Sequence, residues 1–355
     1  MKTEIRPLES DDLEELGRFL VEGFRAAPDA DFGAPEVLRW KYLDDLGLGG
    51  EPLSYLACDE SGRIVGHLGL CRTEFDGRAL EAASPGGRVG TIHIIDWLGS
   101  ASHRAIGMSL MRRAHQGVPT QFGLGVSPSA LVVGERAGYE LRAMVPAFAR
   151  TLRAGYWLRA GDDPRWRRSI RLARDLATRW IRPPARPGSG FAIEARPVDR
   201  FGEEIVPIVA SAREHAILTA RSLDRLNRFL AFPRQDVTGW HLVDASGRLR
   251  GFAILNVIPG DGGRTRIGKV VDALLDGIDV DAWHAAFLAL ARVLTDRGAD
   301  LALAYGSTPW TAEALRRAGF VSRYAVKFHI RDREGLIPRG PEFHLTPIEG
   351  DYGYT

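Results

Sequence analysis

Cysteine and lysine are scarce in this chain. Its 355 residues hold 2 cysteines, Cys58 and Cys71, too few for a disulfide framework and without the Cys/His spacing of a zinc site. Both read as core thiols, and no metal centre is expected. Lysine occurs only at Lys2, Lys41, Lys269 and Lys327, so the positive charge is almost all arginine, a bias of codon usage more than of mechanism. Long apolar runs are missing as well: no stretch reaches the ~18–20 residues that a membrane-spanning helix needs. The opening MKTEIRPLESDDLEEL carries acids where a signal peptide would carry its apolar core, so a cytoplasmic protein with no membrane span is expected. Neither sign of charge is in excess. With 47 basic against 45 acidic residues and a net charge of +2, a surface built wholly for nucleic acid is excluded and no DNA partner is expected. A 45% hydrophobic content also excludes a disordered chain.

What is present is length, and it is patterned. At roughly 100–200 residues per domain, the chain holds two. YLACDESGRIVGHLGL, residues 55–70, resembles WHLVDASGRLRGFAIL, residues 240–255, pairing Asp59 with Asp244, Gly62 with Gly247 and Gly66 with Gly251. Each is two apolar runs around a Ser-Gly turn, a hairpin signal. Further on, GERAGYE (134–140) resembles LRRAGFV (315–321). The two matches are offset by 185 and 181 residues, which points to duplicated domains of about 150 residues each. The boundaries drawn are 1–153 for the first domain, 154–190 for an Arg-rich helical linker and 191–355 for the second domain with a C-terminal tail. The linker ends in PPARPGSG, which breaks helices. Before it, residues 164–182 read as an arginine-studded helix. Either it packs Trp166, Ile170, Ala173, Ala177 and Trp180 against one domain, or it offers a basic amphipathic surface to an anionic partner, membrane or RNA.

The first half reads as a strand at 3–6, helices at 11–25 and 35–46, and the hairpin of 55–70. A strand at 88–98, a helix at 103–116, a strand at 121–126, a helix at 128–137 and a final pair of strands through Arg153 follow. The second half repeats this order, which describes an α/β architecture with a mixed, mostly antiparallel sheet flanked by helices.

The most informative segment is GTIHIIDWLGSASHRAIGMSLMRRA, residues 90–114, an apolar strand that runs through a small-residue turn into a helix. Unpaired backbone N–H groups at a helix start, with the dipole behind them, cradle phosphate. Arg104-Ala105-Ile106-Gly107-Met108-Ser109 places small residues where backbone must approach an anion. A glycine there also serves close helix packing.

Strand, turn, Arg-x-x-Gly-x-Ser, helix, strand, then a short helix ending Ala-Gly-Tyr resembles the GNAT superfamily of acyl-CoA N-acyltransferases. The likeness covers the whole first half, including IRPLESDDLEEL and LRWKYLDD, and extends more weakly over the second. It implies two tandem GNAT-like domains. It further implies that backbone groups of Arg104, Ala105, Ile106, Gly107, Met108 and Ser109 hold the pyrophosphate of acetyl-CoA or another acyl-CoA, with the pantetheine arm beside the strand end at Leu98 and Gly99. Ser127 stands where the family often has Asn. An amine nucleophile needs a general base. Asp96 stands where members often carry an acid, with His93 three residues earlier; strand alternation puts the two on opposite faces unless a bulge intervenes. Asp96 is otherwise a polar strand-end residue or cap. A backbone N–H near Leu98–Gly99 is positioned to stabilise the thioester oxygen.

The sequence also departs from the pattern. Members commonly carry a Tyr, the acid for the leaving thiolate, where this chain has Gly134. In the second half three acids, Asp276, Asp279 and Asp281, crowd the matching turn and oppose pyrophosphate binding, and Leu315 holds the Tyr position. That half reads as degenerate, and Asp272, the counterpart of Asp96, as structural. The tail HLTPIEGDYGYT, 344–355, is either frayed or folded back to bring Asp351, Tyr352 or Tyr354 to the first site. The resulting expectation is an N-acyltransferase moving an acetyl or similar group to an amine of a small molecule or amino sugar. The alternatives are a tRNA-dependent aminoacyl transferase of the peptidoglycan type, RNA being the lesser candidate partner, and a non-catalytic CoA-binding pseudoenzyme.

Overall fold

The computed structural model describes residues 3–44, 54–103, 105–116, 118–161, 163–181 and 192–350. The first half comprises β1 (Glu4–Pro7), α1 (Leu13–Phe24), α2 (Pro35–Tyr42), β2 (Tyr55–Cys58), β3 (Ile64–Asp76), β4 (Arg88–Gly99), α3 (Ile106–Ala114), β5 (Thr120–Leu124), α4 (Pro128–Arg136) and β6 (Glu140–Thr151). After α5 (Tyr156–Arg159) and α6 (Arg165–Ile181), the second half runs through β7 (Ile193–Val198), α7 (Val206–Ala212), β8 (Leu218–Thr219), α8 (Leu223–Leu230), β9 (Val237–Asp244), β10 (Leu249–Gly260), β11 (Thr265–Leu275), α9 (Val280–Asp296), β12 (Leu301–Tyr305), α10 (Pro309–Arg317) and β13 (Val321–Asp332). The expected final pair of strands before Arg153 is one uninterrupted strand, β6, because no turn residue divides Glu140–Thr151.

Local chemistry explains the repeated segments. In the β2–β3 turn Asp59 Oδ1 accepts from the Ser61 N–H at 2.9 Å, the Ser61 hydroxyl at 2.6 Å and the Arg63 N–H at 3.2 Å. Asp244 does the same in the β9–β10 turn, taking Ser246 N–H at 2.9 Å, its hydroxyl at 2.6 Å and Arg248 N–H at 3.1 Å. Each turn closes through a left-handed glycine, Gly62 at φ 83° and Gly247 at φ 86°, a conformation that costs other residues dearly.

Among the described residues the strands form one sheet in the order β1-β2-β3-β4-β5-β13-β6-β12-β11-β10-β9-β7, with β8 on the edge of β3. Read from either end, the order is the same once each half's strands are matched. The last strands are exchanged: β13 of the second half pairs with β5, and β6 of the first pairs with β12. Each half has one parallel pair, β4 with β5 and β11 with β12, and is otherwise antiparallel.

Helices α1, α2, α7 and α8 cover one face in a single apolar layer drawn from both halves. Leu13, Leu16 and Leu20 of α1 are at most 3% exposed, worth about 1.5–3 kcal/mol each. Trp40 of α2 seals the join against Phe229 and Phe232, with ring centroids 5.5 and 4.9 Å away. The other face carries α3 over the first half and α9 with α10 over the second.

Helix α6 corrects an expectation. Its apolar stripe does not pack against a domain: Trp166 is 60% and Ile170 58% exposed, and Ala173 and Ala177 are exposed too. The helix is tied by arginines instead, Arg168 donating to the Leu158 and Asp163 carbonyls and Arg171 pairing with Asp163. The side chain of Trp180 and residues 182–191 lie outside the described residues.

Candidate active site

Strands β4 and β5 are in register only at Ile92–Gln121 and His93–Phe122. Beyond these pairs they part, and the gap is an open pocket with a cavity volume of about 180 Å³. Its walls are Ile94 to Trp97 of β4, Gly123 and Leu124 at the end of β5 with Gly125 to Ser127 after it, Met111 of α3 and Gly134 of α4. Ser127 caps α4, accepting from the Ala130 N–H at 3.3 Å.

A bulge in β4 shapes the inner end. Register against β3 shifts between the His67 and Gly69 pairs, which leaves Asp96 and Trp97 with no partner on that strand. Asp96 takes φ 49°, and an aspartate tolerates this left-handed region better than most residues. This is the interruption in strand alternation that brings His93 and Asp96 toward the same helix. Asp96 Oδ2 lies 2.6 Å from Lys41 Nζ and accepts from the Tyr42 phenol, both at the end of α2. His67 Nδ1 sits 3.0 Å from the Asp96 carbonyl. Gly69 is required here, since a Cβ would collide with the Tyr42 hydroxyl. Burial pushes the Asp96 pKa up, but the charge and hydrogen bond of Lys41 and the Tyr42 phenol outweigh it and hold the carboxylate below its usual range. His93 stacks on Phe122, centroids 4.9 Å apart, and burial drives its pKa down to about 3.

The structure places the other sequence-selected residues unevenly. Leu98 and Gly99 stand in ladder register with His67 and Gly66, so the pocket is walled by Ile94–Trp97, slightly earlier on the strand than expected. Arg104 lies outside the described residues. Ala105 caps α3 in the left-handed region at φ 68°, and no side chain caps that helix; the Ile106 N–H donates to the His103 carbonyl at 3.3 Å, and the next amides of the first turn have no intrahelical acceptor. Ile106 is a core residue against Leu110 and Gly66, while Gly107, Met108 and Ser109 are half-buried. None of Ala105 to Ser109 lines the pocket. The link is Trp97, whose Nε1 donates to the Gly107 carbonyl at 3.2 Å; a Cβ on Gly107 would stand 3.1 Å from that nitrogen.

Sequence reasoning missed Lys41, Tyr42, His67, Trp97 and His329. Only the bulge brings the first three together, and LRWKYLDD had already singled out two of them. His329 comes from the exchanged strand β13, opposite Gly123, and lines the pocket with Gly134. It is 3% exposed, its Nδ1 has no partner among the described residues, and burial lowers its pKa.

In the second half the matching gap is filled by the chain itself. His344 Nε2 lies 2.9 Å from the Ala273 carbonyl and its ring packs on Trp283. Thr346 donates to Asp272 at 2.9 Å. Arg221, fully buried, pairs with Asp272 at 3.0 Å and Glu349 at 2.5 Å. The tail is therefore not frayed through Gly350; Asp351, Tyr352 and Tyr354 lie outside the described residues.

Against solved structures the likeness spans nearly the whole chain. A GCN5-related N-acetyltransferase from Anabaena variabilis superposes with a TM-score of 0.60 at 13% identity, covering 94% of this chain and 73% of that one. N-myristoyltransferase of Saccharomyces cerevisiae, solved with bound myristoyl-CoA, gives 0.63 at 11% identity, covering 93% and 82%. A probable N-acyltransferase from Enterococcus faecalis gives 0.57 at 11%, covering 96% and 76%. The fold is the GNAT fold. No protein-family model and no curated protein sequence matches the chain. Among the described residues no helix of this GNAT fold is long and apolar enough to cross a membrane.

Proposed function

We propose that the protein is an acyl-CoA-dependent N-acyltransferase with one working cofactor site, in the first half. The observation that carries this reading is the gap between β4 and β5, open in the first half and filled by residues 344–349 in the second. The pantetheine arm would lie in that gap and the pyrophosphate at the uncapped start of α3, with Trp97 between them. The acyl group is acetyl or another short chain, and the acceptor is an amine of a small molecule; the two domains are tandem, the second degenerate.

The acceptor nitrogen attacks the thioester carbonyl carbon, the C–S bond breaks, and the amine proton must leave. Asp96 is positioned to hold the neutral acceptor amine at the bulge and to take the proton that its nitrogen sheds on attack. The backbone at Asp96 and Trp97, where the ladder register breaks and the pocket is walled, would supply the N–H for the developing oxyanion. His329 replaces the missing phenol as an N–H donor to the leaving sulfur. His93, neutral and weakly basic, serves the acceptor side.

Calorimetric titration of CoA, acetyl-CoA and myristoyl-CoA into the wild-type protein and Gly107→Glu tests the reading. Binding near 1:1 that is lost in the variant supports it, and the ratio of the two acyl-CoA affinities reports the chain length. Absence of binding to the wild type removes it. The exposed arginines of α6 favour one second reading, a transferase that takes its acyl group from charged tRNA. RNA binding that weakens steeply with salt would select it.

A further inference from the structure

Helix α6 holds arginines to the protein and an apolar stripe to solvent, and we infer that this stripe docks the protein on an anionic lipid surface. The inference goes beyond the acyltransfer reading and stands apart from it, since no described residue of α6 lines the gap between β4 and β5.

Residues three and four apart share a helix face. By that spacing Trp166, Ile170, Ala173 and Ala177 form one line with Leu176 beside it, and all five are exposed, Leu176 at 46%. Arg168 and Arg171 lie on the opposite side, which is the side held to the protein. Arg168 donates to the Leu158 and Asp163 carbonyls at 3.0 and 2.6 Å. Arg171 pairs with Asp163 at 2.6 Å, and its guanidinium lies 5.9 Å from the Trp157 ring centre. A surface helix ordinarily packs its apolar stripe inward and leaves its cations in water. The reversed arrangement keeps a tryptophan, an isoleucine and a leucine together in water, which is unfavourable, and a contiguous apolar patch of this kind marks an interaction site.

Charge identifies the occupant. Residues 162–181 hold 6 arginines and 3 aspartates, a net +3 against +2 for the whole chain, so the positive excess sits in this one segment. A membrane surface potential acts on that net charge, whatever the local partner of each arginine. Arg165 borders the stripe on one edge, Arg167 and Arg174 on the other, and all three are exposed. The Arg167 guanidinium lies 5.1 Å from the Trp166 ring centre. An apolar strip between cationic borders matches a bilayer surface: the strip enters the acyl boundary while the arginines reach headgroup phosphates. Tryptophan suits that depth, with an apolar ring and a polar N–H. A second copy of the chain would set these arginines against their own kind, and RNA would take the arginines but leave the stripe in water.

Vesicle flotation of the full-length protein tests this with two compositions, phosphatidylcholine alone and phosphatidylcholine with an equal part of phosphatidylglycerol. The proteins are the wild type, Trp166→Ser/Ile170→Ser and Arg165→Gln/Arg167→Gln. Both variants change exposed side chains and should keep the wild-type melting temperature and CoA affinity. The wild type should bind the anionic vesicles, more weakly as salt rises, and leave the phosphatidylcholine vesicles unbound; each double variant should bind at least tenfold more weakly. No binding to the anionic vesicles overturns the inference. Equal binding by Trp166→Ser/Ile170→Ser overturns it as well, because only a diffuse charge effect would remain. In place of vesicle binding, a dimer by light scattering that Trp166→Ser/Ile170→Ser dissociates would give the stripe to a second copy, and a gel shift of bulk transfer RNA would give the arginines to RNA; either result overturns the lipid assignment.

Discussion

Lys41 Nζ lies 2.6 Å from Asp96 Oδ2, and the two side chains are 1% and 7% exposed. A buried pair of this kind is costly to break from one side, because the remaining charge stays in a low dielectric. Lys41→Met should therefore destabilise the protein by about 3–5 kcal/mol in urea unfolding, and adding Asp96→Asn should recover much of the loss. A single-variant cost below about 1 kcal/mol would show that the pair behaves as an exposed one.

The same pair fixes the expected pH dependence of turnover. With its pKa held below the ordinary carboxylate range, Asp96 is ionised throughout pH 5–9 and contributes no inflection there. The rate with an amine acceptor should rise tenfold per pH unit, following the acceptor's own deprotonation. Asp96→Asn should lower kcat/KM by about 10²–10⁴ without moving that limb. A wild-type inflection between pH 5 and 7 that disappears in Asp96→Asn would assign the carboxylate a raised pKa and refute the ion-pair argument.

Much of the fold was legible because the halves repeat their turn chemistry: the Asp59 and Asp244 turns and the Ala-Gly endings of α4 and α10 are local devices. The strand exchange was not legible. Whether β13 lies beside β5 or β12 depends on long-range pairing, and Lys327–Ile330 carry the same alternation in either place. In the candidate site, Asp96 and His93 were chosen by position, but that both turn toward α2 depends on a one-residue bulge that no residue type announces. His329 was invisible for the first reason, since it belongs to the pocket only through the exchange. The tail misled because His344, Thr346 and Glu349 are polar, while their burial follows from Arg221 and Asp272, far away in sequence.

Two buried histidines should make folding acid-sensitive. Burial lowers the pKa of His67 to about 4 and of His93 to about 3, against an ordinary 6.5 for a histidine in water. The unfolded chain therefore binds more protons below pH 6.5, so this stability is complete above that value and is lost as pH falls toward the folded pKa values. Between pH 7 and 5 each histidine should cost about 2 kcal/mol. Urea titrations at both pH values should show His93→Asn losing about 2 kcal/mol less than the wild type; an identical loss would mean that the ring is not held neutral.

The exchanged strands predict that the halves do not fold separately. Residues 1–153 alone would expose the β5 edge that β13 covers and leave β6 without β12 or β13, and unpaired edges of this length drive aggregation. The fragment should be aggregated or unfolded by circular dichroism and gel filtration, and co-expression with 191–355 should restore a soluble complex. A folded, monomeric 1–153 would argue against an obligatory exchange.

Glu349 is the anchor of the C-terminal segment and the last charge in the second half's filled gap. Its carboxylate accepts from Arg221 at 2.5 Å, the Thr219 hydroxyl at 2.7 Å and the Thr346 N–H at 2.6 Å, with no exposed side-chain surface. Asp272 alone would remain opposite Arg221 in Glu349→Ala, and three donors would lose their acceptor, so the loss should reach about 3–5 kcal/mol. Glu349→Gln keeps an acceptor oxygen and should cost less. Neither change touches the gap between β4 and β5, so CoA affinity should stay within twofold for whichever variant folds. A fall in CoA affinity without a fall in stability would mean that the segment acts on the first site through Gly350, which packs beside Leu124 of the pocket wall.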